Sequence, residues 1–274
     1  MAKKGNLLYN GGFETGTTEG WLTNPFSLPS ECEFSASADA KYRGNYGGLL
    51  KATKDNAIIN IAYDKFCSFE EYEAYLYIIH CKMISGCVFY PILFGSDDRG
   101  QYIGRLGLGY LTDTGNWNKY QAILRGFGDI THFKVGVYAY AYYKDDTFFF
   151  DEAKLMPLRS VRGHVLRENR FWANVTSDKS WSSWLACIGK CKLRSIVQTV
   201  NVSGTDPTLD ITLSIRIFAD EWVYYTLQHS QFTGEEFEEV TIDLPEISFI
   251  WVDYKLGGTS PKFSIQHYLR VEPY

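Results

Sequence analysis

The chain lacks the features that mark several large protein classes. No stretch approaches the roughly 20 apolar residues of a membrane-spanning helix. The opening MAKKGNLLYNGGFETG has two lysines but not the apolar run of a secretory signal. Lys and Arg number 27 against 32 Asp and Glu, and the charges are interspersed. No basic stripe could release counterions from a phosphate backbone, so nucleic acid is not an expected partner. Helical periodicity is nearly absent.

Catalytic constellations are missing too. His80, His132, His164, His229 and His267 are scattered, and none falls in an HExxH helix or beside a GxSxG elbow. The acid pairs Asp97-Asp98, Asp145-Asp146 and Glu235-Glu236 lie in turn-like polar stretches, whereas a glycosidase needs two carboxyls facing each other across a cleft. Cys32, Cys67, Cys81 and Cys87 precede Cys187 and Cys191, an even count that suits disulfides and buried thiols equally. CIGKC has one residue too many for a zinc knuckle, and no nearby His completes a metal set.

Aromatic residues are plentiful, at 16% with 20 Tyr, 18 Phe and 7 Trp, which favours β-structure and binding surfaces. The clearest pattern runs from Phe133 to Leu158. Val135, Val137, Ala139 and Ala141 share one parity and Tyr138, Tyr140 and Tyr142 the other, so a strand sends the aliphatic set inward and the tyrosines outward. Lys144 to Asp146 make a polar turn, and an aromatic strand follows. Similar runs recur along the chain without crossover helices, which predicts an all-β protein of antiparallel sandwiches. Pro157 cannot join a central strand, and it places a boundary between a domain at 1–158 and another at 159–274. The closing ISFIWVDYKLGGTSPKFSIQHYLRVEPY repeats the layout of strand, polar turn and strand, which predicts two tandem sandwiches related by duplication.

Four segments carry a family resemblance. NLLYNGGFETGTTEGW, YRGNYGGLL, NWNKYQAIL and FFFDEAKL fall in the order found in carbohydrate-binding modules of the galactose-binding-like jelly-roll type, the group that includes cellulose- and xylan-binding modules. Together they cover about residues 6–158. The resemblance implies a jelly roll and a structural calcium ion held by Glu14 of the first turn and Asp151 of the last strand, hard oxygen ligands of the kind Ca²⁺ takes. It also implies a sugar site, for which flat rings and fixed polar groups are needed. By parity the candidates are Tyr75, Tyr77, Tyr138 and Tyr140, with Arg105 or Gln101 as polar partners, while Trp21 and Trp117 belong to the core. The expected function is non-catalytic recognition of a polysaccharide or cell-surface glycan, outside the cell or on a virion. A virion component or homo-oligomer assembling through its aromatic faces is the alternative, and a glycoside hydrolase or lyase with an unrecognised site is a further one.

Overall fold

The computed structural model describes residues 5–70, 72–109, 115–126, 128–158, 160, 163–218 and 224–274. The chain divides into two compact units, Met1–Ser160 and Val161–Tyr274. Apart from one turn of 3-10 helix at Pro25–Ser27, the regular structure among the described residues is β-strand.

In the first unit the strands are β1 (Trp21–Thr23), β2 (Cys32–Ser37), β3 (Gly47–Ala52), β4 (Ile58–Tyr63), β5 (Cys67–Ser68), β6 (Ala74–Met83), β7 (Val88–Ser96), β8 (Tyr102–Gly107), β9 (Asn118–Leu124), β10 (His132–Tyr140) and β11 (Thr147–Leu158). One sheet has the order β1-β4-β10-β7-β8 with β5 on β10, and the other runs β9-β6-β11-β3-β2. From β3 onward the chain crosses repeatedly between the two sheets, the winding of a jelly roll. The sheets meet face to face through rings, with Tyr75 against Phe133 at 5.0 Å and Phe89 against Phe148 at 5.3 Å. As the alternation predicts, Val135, Val137, Ala139 and Ala141 are buried.

Pro157 lies inside β11 rather than after it. The strand bulges between Asp151 and Lys154 and pairs with β3 only through Phe150, so by Pro157 its sole strand partner is β6. A residue without an N–H is tolerated on that free side.

The second unit is a sandwich reached by another route. Its strands are β12 (Leu166–Val175), β13 (Lys179–Ser183), β14 (Leu185–Cys187), β15 (Cys191–Arg216), β16 (Tyr224–Gln228), β17 (Phe237–Leu244) and β18 (Phe249–Pro273). β15 and β18 pair along nearly their whole length as one ribbon, interrupted by register shifts between Val200 and Thr208. There Gly204 and Gly258 adopt positive φ, and a Cβ on Gly258 would sit 2.2 Å from the Asp206 carbonyl oxygen. The ribbon bends at this corner. One half pairs with β12 and β17, the other with β13 and β16, and the halves pack on each other. LGGTSP, which reads as a hairpin turn, is therefore a bulged corner within a continuous strand. The winding differs from that of the first unit, so the similar layout of the two endings reflects patterning and not a repeated topology.

Candidate functional site

The outer face of the β1-β4-β10-β7-β8 sheet carries several partly exposed rings near a guanidinium. Register places Asn60, Tyr138 and Tyr90 in one row across β4, β10 and β7. The two tyrosine rings lie 5.1 Å apart at 34°. Gly107 on β8 makes room for Tyr90, since a Cβ there would come within 3.0 Å of its ring. Arg105 reaches back across the sheet, its guanidinium 4.5 Å from the Tyr138 ring centroid and donating to Asn60 Oδ1 at 3.1 Å. Asn60 is buried and donates in turn to the Pro29 carbonyl at 2.6 Å, so its orientation is fixed. Phe26, Leu28 and Tyr102 pack on Ala62, Ile92 and Phe94 and close one end of the face. At the other end Tyr140 donates to Asn56 Oδ1, and Tyr142 stands edge-on to it with half its surface exposed. The result is an aromatic floor with a positioned cation, the combination that stacks on sugar faces and hydrogen-bonds sugar hydroxyls.

Three of the five expected ligand residues, Tyr138, Tyr140 and Arg105, thus share this face. Tyr75 and Tyr77 do not. They lie on β6 with 0% and 1% exposure, their hydroxyls bonded to the carbonyls of Ser68 and Gly136, and burial raises the Tyr77 hydroxyl well above its ordinary value. A tyrosine can face either way provided its hydroxyl finds a partner, so parity grouped these two correctly but assigned them the wrong side. Gln101 sits in the turn that Asp97 caps, its N–H donating to Asp97 Oδ1 at 2.7 Å. Trp21 is in the core, whereas Trp117 is only half buried, 5.4 Å from the Tyr42 ring. Tyr90 and Asn60 escaped the sequence reading because only strand register brings them beside Tyr138.

Glu14 and Asp151 converge on one turn. Asp151 Oδ2 accepts the N–H groups of Tyr42 and Arg43, and both Glu14 oxygens accept from Asn45. The Gly11–Gly12 turn seats against the β11 bulge, with the Ala153 N–H donating to the Gly11 carbonyl at 2.9 Å. Asp151 has no exposed surface, and desolvation raises its carboxyl to about 6 against three backbone hydrogen bonds that lower it. None of the ion pairs among the described residues includes Asp151. His80, opposite it in register, is driven down to about 4, first by burial, and is neutral at pH 7. Both carboxylates are hard oxygen donors of the type a Ca²⁺ ion takes, and both are held on the turn from Tyr42 to Asn45. Among the described residues no three His, Cys, Asp or Glu side chains form a metal-holding group, so backbone carbonyls would supply the remaining ligands.

The acid pairs behave as turn residues. Asp97 caps Arg99 and Gln101, Asp146 caps Tyr142 and Tyr143, and Glu236 caps Thr233 and Gly234. Cys32, Cys81 and Cys87 are free thiols.

Two of the scattered histidines meet inside the second unit. Trp181 Nε1 donates to Tyr254 Oη (2.8 Å), which is 2.5 Å from His267 Nδ1. His267 Nε2 lies 2.7 Å from Ser195 Oγ, Ser195 Oγ 2.8 Å from His229 Nε2, and His229 Nδ1 2.8 Å from Glu238 Oε2. An indole can only donate and a carboxylate only accepts, so the two ends assign every proton between them. Tyr254 donates to His267, His267 to Ser195, Ser195 to His229 and His229 to Glu238. The last three residues have the connectivity of a hydrolytic triad. Ser195, however, is fully buried in mid-strand, paired on both sides with β17 and β18, and no substrate can reach it.

No protein-family model matches the sequence, and no curated protein matches it. The similar solved structures are mostly carbohydrate-binding modules. The N-terminal CBM22-1-CBM22-2 tandem domain from Paenibacillus barcinonensis Xyn10C aligns over 97% of this chain and 99% of its own, with 10% identity and a TM-score of 0.41. TmCBM61 in complex with beta-1,4-galactotriose aligns over 56% of this chain and 99% of its own, with 17% identity and a TM-score of 0.40. The enzymatically active domain of the bacteriophage CBA120 tailspike protein 4 aligns over 56% of this chain and 22% of its own, with 11% identity and a TM-score of 0.45. At these scores the ligand of this chain must be argued from its own residues.

Proposed function

We propose that this protein is a non-catalytic glycan-binding protein whose first unit takes a neutral polysaccharide along the outer face of β10. The observation that carries the reading is the Tyr90–Tyr138 pair with Arg105 laid over Tyr138 and anchored on buried Asn60. Sugar rings stack on the tyrosines, and the guanidinium donates to hydroxyls from a fixed position. Glu14 and Asp151, with carbonyls of the neighbouring turns, hold a structural Ca²⁺ that ties the first turn to the last strand. That ion supplies charge compensation and takes no part in chemistry.

The test is isothermal titration with xylan, galactan and mixed-linkage β-glucan oligosaccharides. Tyr138→Ala and Arg105→Ala should each weaken binding about tenfold, as loss of one ring or one charged donor does. Unchanged affinity in both variants refutes the assignment. Assembly into a virion or oligomer would be another use of the same rings. Light scattering with and without oligosaccharide separates the two, because a glycan binder keeps its mass.

A further inference from the structure

The second unit presents a face that the reading above does not use. In the half of its ribbon bordered by β12 and β17, Leu193, Ser195, Val197 and Thr199 of β15 point into the core, so Arg194, Ile196 and Gln198 point out. Register aligns Phe171, Gln266, Gln198 and Phe237 in a single row across β12, β18, β15 and β17. Phe171 is 62% exposed and Phe237 66%. The row spans three strand spacings, roughly 14 Å. In the next row stand Asn169 and Tyr268, and the Gln266 side-chain amide donates to the Tyr268 hydroxyl.

Two properties of this face choose its occupant. The row from Phe171 to Phe237 carries no charge, and two of the arginines beside it are paired with acids of the same face: Arg194 with Glu239 at 2.6 Å and Glu272 at 2.9 Å, and Arg270 with Glu272 at 2.8 Å. A neutral ligand therefore complements it better than an acidic one. Its layout also inverts that of a protein interface, where an apolar centre is ringed by polar groups. Here two amides occupy the centre of the row and bare rings flank it. Such a surface suits a ligand that offers stacking faces and hydroxyls alternately along its length.

We propose that this face is a second glycan-binding platform, taking several consecutive units of a neutral polysaccharide laid across the strands from Phe171 to Phe237. It is distinct from the Tyr138 face and makes the full chain bivalent, so both sites together retain a polymer more strongly than either alone.

The experiment is affinity electrophoresis of the full chain in native gels containing xylan, galactan, glucomannan or mixed-linkage β-glucan, with polygalacturonate as the charged control. The variants are Phe171→Ala/Phe237→Ala, Gln198→Ala/Gln266→Ala and, for the first unit, Tyr138→Ala/Arg105→Ala. Phe171 and Phe237 are exposed, and an unchanged melting temperature verifies folding of every variant. Removing the two phenylalanines should weaken retention by a neutral glycan about tenfold, both in the wild-type background and in the first-unit variant, with no retention by polygalacturonate in either. If only the first-unit variant loses retention, the platform is refuted and the first reading stands. If only the phenylalanine variant loses it, the platform stands and the Tyr138 site falls. Absence of retention of the full chain by every glycan overturns both, and a dimer dissolved by Phe237→Ala in light scattering assigns the face to self-association instead.

Discussion

Lowering the pH should destabilise the second unit through His267. The imidazole has no exposed surface, and burial, reinforced by the neighbouring His229, drives it down to about 3. In the unfolded chain it titrates near 6.5. Its folded value is depressed, so the unfolded chain binds the extra proton between those limits, and stability is full above pH 6.5 and falls as pH drops toward 3. One proton is worth about 1.4 kcal/mol per pH unit, which gives about 2 kcal/mol lost by pH 5. His229 is depressed as well, mainly by burial and against the pull of Glu238, and adds a loss of the same sign. Protonating His267 Nδ1 also removes the acceptor of the Tyr254 hydroxyl, which crosses between the two halves of the ribbon. Urea denaturation at pH 7.5 and pH 5.0, followed by hydrogen exchange in peptides covering Trp181 to Thr199 and Ile250 to Val271, should show the midpoint of this unit falling by about 1 M. His267→Gln, whose amide supplies both N–H donors and a carbonyl acceptor but no titrating proton, should lose most of that slope. Ser195→Ala, which retains His267, should keep it. Equal midpoints at the two pH values, or an unaltered slope in His267→Gln, would refute the buried neutral chain.

Phe150 is fully buried among Phe13, Trp21 and Phe34, so Phe150→Ala should cost about 3–5 kcal/mol in chemical denaturation of the first unit. Gly11→Ala would set a Cβ 2.2 Å from the Ala153 carbonyl oxygen; the seat of the first turn on β11 should open, with at least about 2 kcal/mol lost by thermal melting. Calcium in hundredfold excess over its dissociation constant should add about 2.7 kcal/mol to the first unit, and EGTA should reverse the gain. Glu14→Gln and Asp151→Asn should abolish that response, and a melting temperature indifferent to Ca²⁺ in the parent protein would remove the ion from the proposal.

Much of the first unit was legible because strand alternation is local. The aliphatic parity of β10 went inward and its tyrosines outward, since Val and Ala have no use for water and nothing else was available to cover them. The same argument failed on β6. Tyr75 and Tyr77 share a face, as their spacing requires, but a residue with an apolar body and a polar tip leaves the choice of side to whichever carbonyls the opposing sheet provides. Pro157 misled for a related reason, because whether a strand has a free edge at one residue depends on where its neighbour stops.

The sequence by itself determined the β-class and the inward and outward sets of β10, because each is written in side-chain period over a few residues, while the meeting of a glycine turn with an acidic strand was implied only by the family resemblance. Only the tertiary structure decided that Arg105 reaches Tyr138 and Asn60, that Phe171 and Phe237 stand in one row, and that His267 and His229 share Ser195. Those pairings join residues tens of positions apart through strand register, and register is fixed by the packing of whole sheets rather than by any short segment.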